Sequence, residues 1–162
     1  VNTLQKEIKT LHENNVKLQT IGDINQLPLD CQNNLAKAME ATRNNSGLIL
    51  QLALNYSGRW EIVEAARKLG EEIKNGLVQP NEIDEHYFAQ HLQRANVPDP
   101  ELLIRTSGEL RISNFLLWQI AYTEIFITPT LWPDFRKENL YEAICAYQKR
   151  ERRFGKVLDP IG

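Results

Sequence analysis

The feature that most constrains the fold is a nearly continuous apolar run over residues 48–54, which only Gln51 interrupts. A strand with apolar side chains on both faces is typical of a parallel sheet that helices cover on both sides. An alternating segment over residues 16–21 predicts a second strand, and a helical pattern that begins near Pro28 lies between the two. An amphipathic pattern over residues 60–74 follows. This order of elements predicts an α/β fold.

The second half of the chain continues the alternation of strands and helices. Short apolar runs predict strands at residues 102–104 and 125–127. Apolar spacing predicts helices over residues 85–94, 113–122 and 138–154, and the first residues of the chain enter a helical pattern at once. The whole pattern predicts an open, mostly parallel sheet flanked by helices on both faces.

Charge and cysteine content exclude several classes of protein. The 162 residues carry 19 lysines and arginines against 21 aspartates and glutamates, a formal net charge of −2. This balance gives no broad basic surface for nucleic acid, so any phosphate site must be local. The two cysteines, Cys31 and Cys145, argue against a disulfide framework or a zinc site and favour a reducing, cytoplasmic setting. No apolar run is long enough to cross a bilayer.

Charged and small polar residues follow the predicted strand at residues 102–104. We call residues 105–113 the arginine turn; they include Arg105, Gly108, Glu109, Arg111 and Ser113. Free backbone N–H groups in a turn that contains glycine, the N-terminus of the helix predicted from Ser113, and two guanidinium groups would together favour an anion. The arginine turn therefore predicts a diphosphate pocket. The alternative is an ordinary polar loop in which Arg105 pairs with Glu109.

A second turn of similar composition follows the apolar run. Residues 55–59 read Asn-Tyr-Ser-Gly-Arg and again place a glycine, an arginine and small polar groups ahead of a helix. Ligands of open α/β sheets bind beyond the carboxyl ends of the strands, so both turns are candidates for one pocket. The alternative is a capped helix, with Ser57 or Asn55 as the cap and Arg59 in solvent.

An ordered series of sequence blocks runs through the chain. The blocks are NYSGR at 55–59, DPELLIRTSGE at 99–109, RISNFLLWQ at 111–119, YTE at 122–124, LWPDF at 131–135 and RERRFG at 150–155. Together they closely resemble the cis-prenyltransferases, and within that family the bacterial undecaprenyl diphosphate synthases. The resemblance covers nearly the whole chain and implies the α/β fold of that family.

The resemblance implies roles for nine residues. The residues that hold the diphosphate of isopentenyl diphosphate are Arg105, Arg111 and Ser113, and Glu109 orients the two arginines. The other five are Asn55 and Arg59 near the pocket, Glu124 as a ligand of Mg²⁺, and Arg153 and Gly155, which reach the second subunit's site across a homodimer. One glutamate together with substrate oxygen atoms can hold Mg²⁺. Without the resemblance, Glu124 reads as the partner of an arginine, and residues 150–153 as a solvated helix end.

The chain also departs from the family. It has no block of the type Asp-Gly-Asn-Gly-Arg-Trp-Ala, which supplies the family's catalytic aspartate and the phosphate loop for the allylic substrate, so no catalytic residue is assigned. We expect residues 1–162 to be the C-terminal portion of a single cis-prenyltransferase domain, incomplete at the N-terminus. Alone, this portion should be inactive and should expose an unpaired strand edge and apolar faces.

The function that the resemblance implies is that of an enzyme, a transferase of prenyl groups. It would condense isopentenyl diphosphate with an allylic diphosphate such as farnesyl diphosphate, giving a cis-polyprenyl diphosphate, the lipid carrier precursor for cell-wall synthesis. The resemblance also implies that the enzyme uses Mg²⁺, forms a homodimer and contacts the membrane peripherally. It implies no binding of nucleic acid. The alternative is a non-catalytic, diphosphate-binding subunit of a heteromeric prenyltransferase, against which the intact arginine block argues.

Overall fold

The structure, a computed structural model, describes residues 2–93 and 97–150, with side chains from residue 7 onward. The chain divides into two compact units, Val1–Asn96 and Val97–Gly162, which we call the N-terminal and the C-terminal unit. No helix in the described ranges is long and apolar enough to cross a membrane.

The N-terminal unit is built around two parallel strands. Its elements are α1 (Asn2–Glu13), β1 (Lys17–Ile21), α2 (Leu29–Thr42), β2 (Ile49–Ala53), α3 (Gly58–Lys74) and the short α4 (Glu85–Ala89). β1 and β2 pair in parallel from Lys17↔Ile49 to Ile21↔Ala53, with α2 as the crossover between them. The strands and helices predicted for this half are confirmed, except that α4 ends at Ala89 and turns follow it to residue 93.

A buried threonine joins α2 to β1. Thr42, in the last turn of α2, donates from Oγ1 to the carbonyl oxygen of Ala38 at 2.9 Å and accepts from the backbone N–H of Leu18 at 3.1 Å. Leu18 and Ile21 from β1 and Leu35 from α2 supply buried apolar side chains. The alternation predicted for residues 16–21 therefore places its apolar side chains in the core of this unit.

The second strand, β2, differs from the prediction in its burial. Its apolar run predicts a strand buried on both faces, yet Ile49, Leu50 and Ala53 are exposed. Within the described residues β2 pairs with β1 alone, so its other edge has no strand partner. The apolar composition of β2 is therefore suited to a buried strand, although three of its five residues are exposed in the described structure.

A network of polar groups fixes the carboxyl ends of β1 and β2. The buried carboxylate of Glu61 accepts from the hydroxyl of Tyr56 at 2.6 Å and from the backbone N–H of Gln93 at 3.0 Å. The side chain of Gln93 in turn bonds both backbone groups of Gly22. Gly22 has φ +115°, and a Cβ there would lie 1.9 Å from the carbonyl oxygen of Leu54. Only glycine lets the two chain segments approach this closely.

The C-terminal unit holds a second parallel pair of strands. Its elements are β3 (Leu102–Arg105), β4 (Glu124–Ile127) and α5 (Lys137–Gln148). The register runs from Leu102↔Glu124 to Arg105↔Ile127. Both predicted strands are confirmed. The helix predicted over residues 138–154 ends at Gln148, and residues 151–154 of that prediction lie outside the described residues.

The connection from β3 to β4 corrects one prediction. Residues 113–122 form consecutive turns and not the predicted helix. Ser113, Asn114 and Leu116 have φ of 50°, 61° and 46°, in the left-handed region that a right-handed helix excludes. Leu116 is nevertheless buried, so its apolar side chain packs from an irregular backbone. The helical spacing of apolar residues here reflects packing and not helix formation.

Candidate diphosphate-binding site

The backbone of the arginine turn is braced by the segment that follows β4. Ser107 and Gly108 have φ of 65° and 64° and donate their backbone N–H groups to the carbonyl oxygens of Thr130 and Thr128, each at 2.9 Å. The N–H of Thr128 donates to the carbonyl oxygen of Arg105 at 2.9 Å. The sequence predicted free N–H groups here and a helix N-terminus at residue 113. The N–H groups of Ser107 and Gly108 are therefore already bonded, and no helix begins at residue 113, so neither of these features is available to an anion.

Arg105 supplies a donor that the protein leaves unsatisfied. Its Nη2 donates to Oγ of Ser113 at 3.2 Å. Its Nε is buried and has no acceptor in the part of the chain that the structure describes. A buried guanidinium N–H without an acceptor is costly, because it loses water and gains nothing in return. An anion oxygen at this position would remove that cost, and the structure thus places Arg105 and Ser113 together as the sequence predicted.

Arg111 pairs with Glu109, whose Oε2 lies 2.7 Å from Nη1 of Arg111. The alternative interpretation paired Glu109 with Arg105, and the structure pairs it with the other arginine. The Arg111 side chain is 71% exposed, so its remaining donors face solvent. An exposed arginine that one carboxylate holds in place can still offer a planar edge to a phosphate.

Glu124 lies at the opposite end of the strands from Arg105. It begins β4, whereas Arg105 ends β3, and three residues along parallel strands correspond to about 10 Å. Its carboxylate forms an ion pair with Nη1 of Arg150, whose Nη2 also donates to the carbonyl oxygen of Ile125 at 3.2 Å. The interpretation that pairs Glu124 with an arginine is therefore confirmed, and its role toward a metal stays a prediction.

The described residues offer no ready-made metal cage. No group of three or more His, Cys, Asp or Glu side chains within residues 7–93 and 97–150 is placed to hold an ion. Glu124 is a single carboxylate, which suits an Mg²⁺ ion held chiefly by phosphate and water oxygens and does not suit an all-protein site. The donor set fits Mg²⁺ only in that restricted form.

The second turn is a helix cap in the N-terminal unit. Ser57 is the N-cap of α3 and accepts from the N–H of Trp60 at 3.4 Å, which confirms the capped-helix alternative. Asn55 has φ 47° and donates from Nδ2 to the carbonyl oxygen of Asp23 at 3.2 Å, so it holds the chain that leaves β1. Arg59 is exposed. Whether Asn55 and Arg59 face a ligand stays a prediction.

Two of the predicted site residues, Arg153 and Gly155, lie outside the described residues. Of the other seven, the structure brings together Arg105 with Ser113 and Arg111 with Glu109 in the arginine turn. Their binding roles stay predictions.

Sequence reasoning missed a cluster that links α3 to the end of α4. His91 Nε2 lies 2.9 Å from Oε1 of Glu72, and its Nδ1 lies 2.9 Å from the carbonyl oxygen of Tyr87. The Tyr87 hydroxyl donates to Oε2 of Glu72 at 2.9 Å. We call Glu72, Tyr87 and His91 the α3–α4 clasp. Nineteen residues separate His91 from Glu72, so no local spacing signals the contact.

Both ring nitrogens of His91 face acceptors, which only the imidazolium form can satisfy at once. Burial alone would lower the pKa of His91, but the bond to Glu72 and the Tyr87 carbonyl outweigh it and raise that pKa above 6.5. The bonds from His91 and then from Tyr87 lower the pKa of Glu72 below 4.5. The clasp is therefore an ion pair at mildly acidic pH.

Parallel strands flanked by helices confirm the predicted α/β class, with Arg105 at the carboxyl end of β3 and Arg111 in the turn that follows. The sequence model of the prenyltransferase family described as undecaprenyl diphosphate synthase matches residues 1–155. The chain therefore belongs to this family, which confirms the resemblance seen in its sequence blocks.

Similar proteins agree with this assignment. The chain is 51% identical to an isoprenyl transferase of Chlorobaculum tepidum and 48% identical to a ditrans,polycis-undecaprenyl-diphosphate synthase ((2E,6E)-farnesyl-diphosphate specific) of Vibrio cholerae. These matches cover 99% and 94% of the chain, and in each case 61% of the relative. The chain thus spans about three fifths of the length of the curated relatives it matches.

A solved structure is also similar. The crystal structure of lavandulyl diphosphate synthase from Lavandula x intermedia, in complex with dimethylallyl diphosphate, superimposes with a TM-score of 0.92 at 39% identity. The match covers 96% of this chain and 67% of the plant enzyme. The open α/β fold expected from the sequence is therefore shared with a solved prenyl diphosphate synthase.

Proposed function

We propose that the complete protein is a cis-prenyltransferase that condenses isopentenyl diphosphate with an allylic diphosphate such as farnesyl diphosphate. Its product would be a cis-polyprenyl diphosphate, the precursor of a lipid carrier for cell-wall synthesis. Family membership supports this proposal, as do relatives named isoprenyl transferase. The name of the Vibrio cholerae relative specifies farnesyl diphosphate, and the plant enzyme was solved with another allylic diphosphate.

The observation that carries the proposal is the unsatisfied Nε of Arg105. A diphosphate oxygen of isopentenyl diphosphate would accept from this N–H, with the Ser113 hydroxyl beside the same guanidinium. Arg111, held by Glu109, would bring a second guanidinium to the diphosphate from the solvent side. These residues would bind and orient the isopentenyl substrate while the allylic diphosphate leaves, the carbon–carbon bond forms and a proton is lost.

Mg²⁺ enters the proposal through Glu124. A single carboxylate fits an ion whose other ligands are diphosphate and water oxygens. When bound, the ion would neutralise negative charge on a diphosphate and ease its departure. Glu124 is held in place by Arg150, which also fixes the backbone at Ile125.

We further propose a homodimer in the cytoplasm, with at most a peripheral membrane contact because the product is a lipid. Both cysteines are free, which supports the cytoplasm, a reducing compartment.

The homodimer is supported by exposed apolar side chains on the C-terminal unit. A second copy would cover these side chains, which include Ile125, Ile127 and Tyr141. Sedimentation velocity of the complete enzyme should show a species of two chains, and a purely monomeric protein would contradict the dimer.

The proposal is tested by Arg105→Ala in the complete enzyme. Removing a charged donor from a diphosphate should raise the KM for isopentenyl diphosphate and lower kcat/KM by about 100-fold. The matched control is Arg43→Ala, which removes an exposed arginine paired with Glu40 on α2 and should leave both constants unchanged. An unchanged KM and turnover in Arg105→Ala would reject the assigned role.

A further inference from the structure

Thr128 lies between the end of β4 and the arginine turn and contacts both. It is 4% exposed. Its backbone N–H donates to the carbonyl oxygen of Arg105 at 2.9 Å, and its carbonyl oxygen accepts from the N–H of Gly108 at 2.9 Å. One buried residue thus holds the backbone of the arginine turn on both sides of Ser107.

The hydroxyl of Thr128 shapes the segment that makes these contacts. Its Oγ1 lies 3.1 Å from Oγ1 of Thr130 and accepts from the backbone N–H of Thr130 at 3.3 Å. The carbonyl oxygen of Thr130 then accepts from the N–H of Ser107 at 2.9 Å. Asn139 of α5 donates to Oγ1 of Thr130 at 3.5 Å, so the hydroxyl pair is also tied to a helix. The side-chain bonds keep the carbonyls of residues 128 and 130 directed at the turn.

The turn needs this support because its backbone is unfavourable. Ser107 has φ 65°, in the left-handed region that a residue with a side chain adopts only where its surroundings impose it. Here the surroundings supply two acceptors, the carbonyl oxygens of Thr130 and Thr128, which bond the N–H groups of Ser107 and Gly108. If these two hydrogen bonds were lost, the backbone of the turn would relax. Because Arg105 is the first residue of the turn, its side chain would move as well.

We propose that Thr128 is a positioning residue for the isopentenyl diphosphate site, acting through the backbone of the arginine turn. The inference rests on the proposed function, since it assigns the arginine turn to that substrate. In this role Thr128 acts by holding the turn that the proposal assigns to isopentenyl diphosphate, and the allylic diphosphate is bound elsewhere. The loss of Thr128 should therefore weaken the use of isopentenyl diphosphate and leave the KM for farnesyl diphosphate unchanged.

The test compares Thr128→Val, which keeps the shape and removes the hydroxyl, with Thr128→Ser, which keeps the hydroxyl. In the complete enzyme, Thr128→Val should raise the KM for isopentenyl diphosphate about tenfold, since the partly buried hydroxyl and N–H of Thr130 lose their hydrogen-bond partner. The kcat should change less than about threefold, and Thr128→Ser should restore the KM to within about twofold. If Thr128→Val fails to fold, Thr130→Val removes the facing hydroxyl and should raise the same KM.

The matched control is Thr42→Val in the N-terminal unit. Thr42 is also buried, and its hydroxyl both donates and accepts, so its loss should lower the Tm without changing the KM for isopentenyl diphosphate. The inference is overturned if Thr128→Val leaves that KM within about twofold of the wild type, or if both substrates' KM values rise together. If Arg105→Ala raises the KM and Thr128→Val does not, only this inference fails. If neither does, the proposed function of the turn fails as well.

Discussion

At the scale of single residues, Glu61 shows how one buried carboxylate can order several loops. It is 2% exposed and accepts from Tyr56, in the turn after β2, and from the backbone at Gln93, after α4. A carboxylate so far from water is stabilised only by the donors that surround it. Tyr56 is a local partner, five residues before Glu61, whereas Gln93 lies 32 residues after it, so Glu61 links the start of α3 to a segment that is distant in sequence.

Replacing Glu61 should be costly for stability. Glu61→Ala leaves the Tyr56 hydroxyl and the Gln93 N–H without their acceptor, and we expect the free energy of unfolding to fall by about 3 kcal/mol. The measurement is urea denaturation followed by circular dichroism. Glu71→Ala, at an exposed position of the same helix, should change it by less than about 0.5 kcal/mol. Equal effects of the two substitutions would contradict this role.

At the scale of secondary structure, the α3–α4 clasp gives the packing of two helices a dependence on pH. The stability that it provides through His91 is complete below pH 6.5, the ordinary pKa, and is lost as the pH rises through the raised pKa. The contribution of Glu72 is present above pH 4.5 and is lost as the pH falls through its lowered pKa. The clasp is therefore strongest between these two values, with Lys68 as the nearby charge that opposes the imidazolium.

We expect His91→Gln to destabilise the protein most in that window. The loss of unfolding free energy relative to wild type should be largest at about pH 5.5 and smaller at about pH 8. Urea denaturation at the two pH values measures it. His86→Gln is the control, since His86 is exposed and its Nε2 lies 2.9 Å from the neutral amide of Gln90. Its effect should differ less between the two pH values than that of His91→Gln. A loss that grows toward pH 8 would contradict the assigned ion pair.

At the scale of the whole molecule, β2 presents apolar side chains and an edge without a strand partner in the described structure. Ile49 is 49% exposed, and Leu48 and Leu50 beside it are also exposed. Apolar strand edges of this kind pair readily with other chains. This surface therefore favours association in two ways, through its exposed apolar side chains and through the unpaired backbone groups of the strand edge.

We therefore expect a chain of these 162 residues, prepared alone, to self-associate at micromolar concentration. Ile49→Lys should reduce the association, because charge on an edge strand opposes pairing. Val63→Lys is the matched control: Val63 is 48% exposed but lies on α3, where the backbone is already satisfied. Dynamic light scattering and thermal melting measure the outcome, and a sharp cooperative melt of a monomer would contradict it.

How far the sequence predicts this structure depends on whether the determining interactions are local. The cap at Ser57, the alternation that forms β1 and the apolar run that forms β2 are local signals, and all three predict the element found. The turns over residues 113–122 escape prediction, because left-handed residues break a spacing that otherwise fits a helix. The long-range contacts of the candidate site escape it too: the N–H of Ser107 donates to the carbonyl oxygen of Thr130, which is more than twenty positions away in sequence.

The close approach at Gly22 has a consequence for how variants of this protein would be interpreted. Any side chain there would collide with the backbone of the segment that leaves β2, and the positive φ adds a second obstacle. In a survey of all single substitutions, position 22 should therefore tolerate no replacement, just as a catalytic position would. The cause of this intolerance to substitution would be purely steric. A ranking of positions by their intolerance alone would therefore assign Gly22 to the active site, although it is a contact between two chain segments.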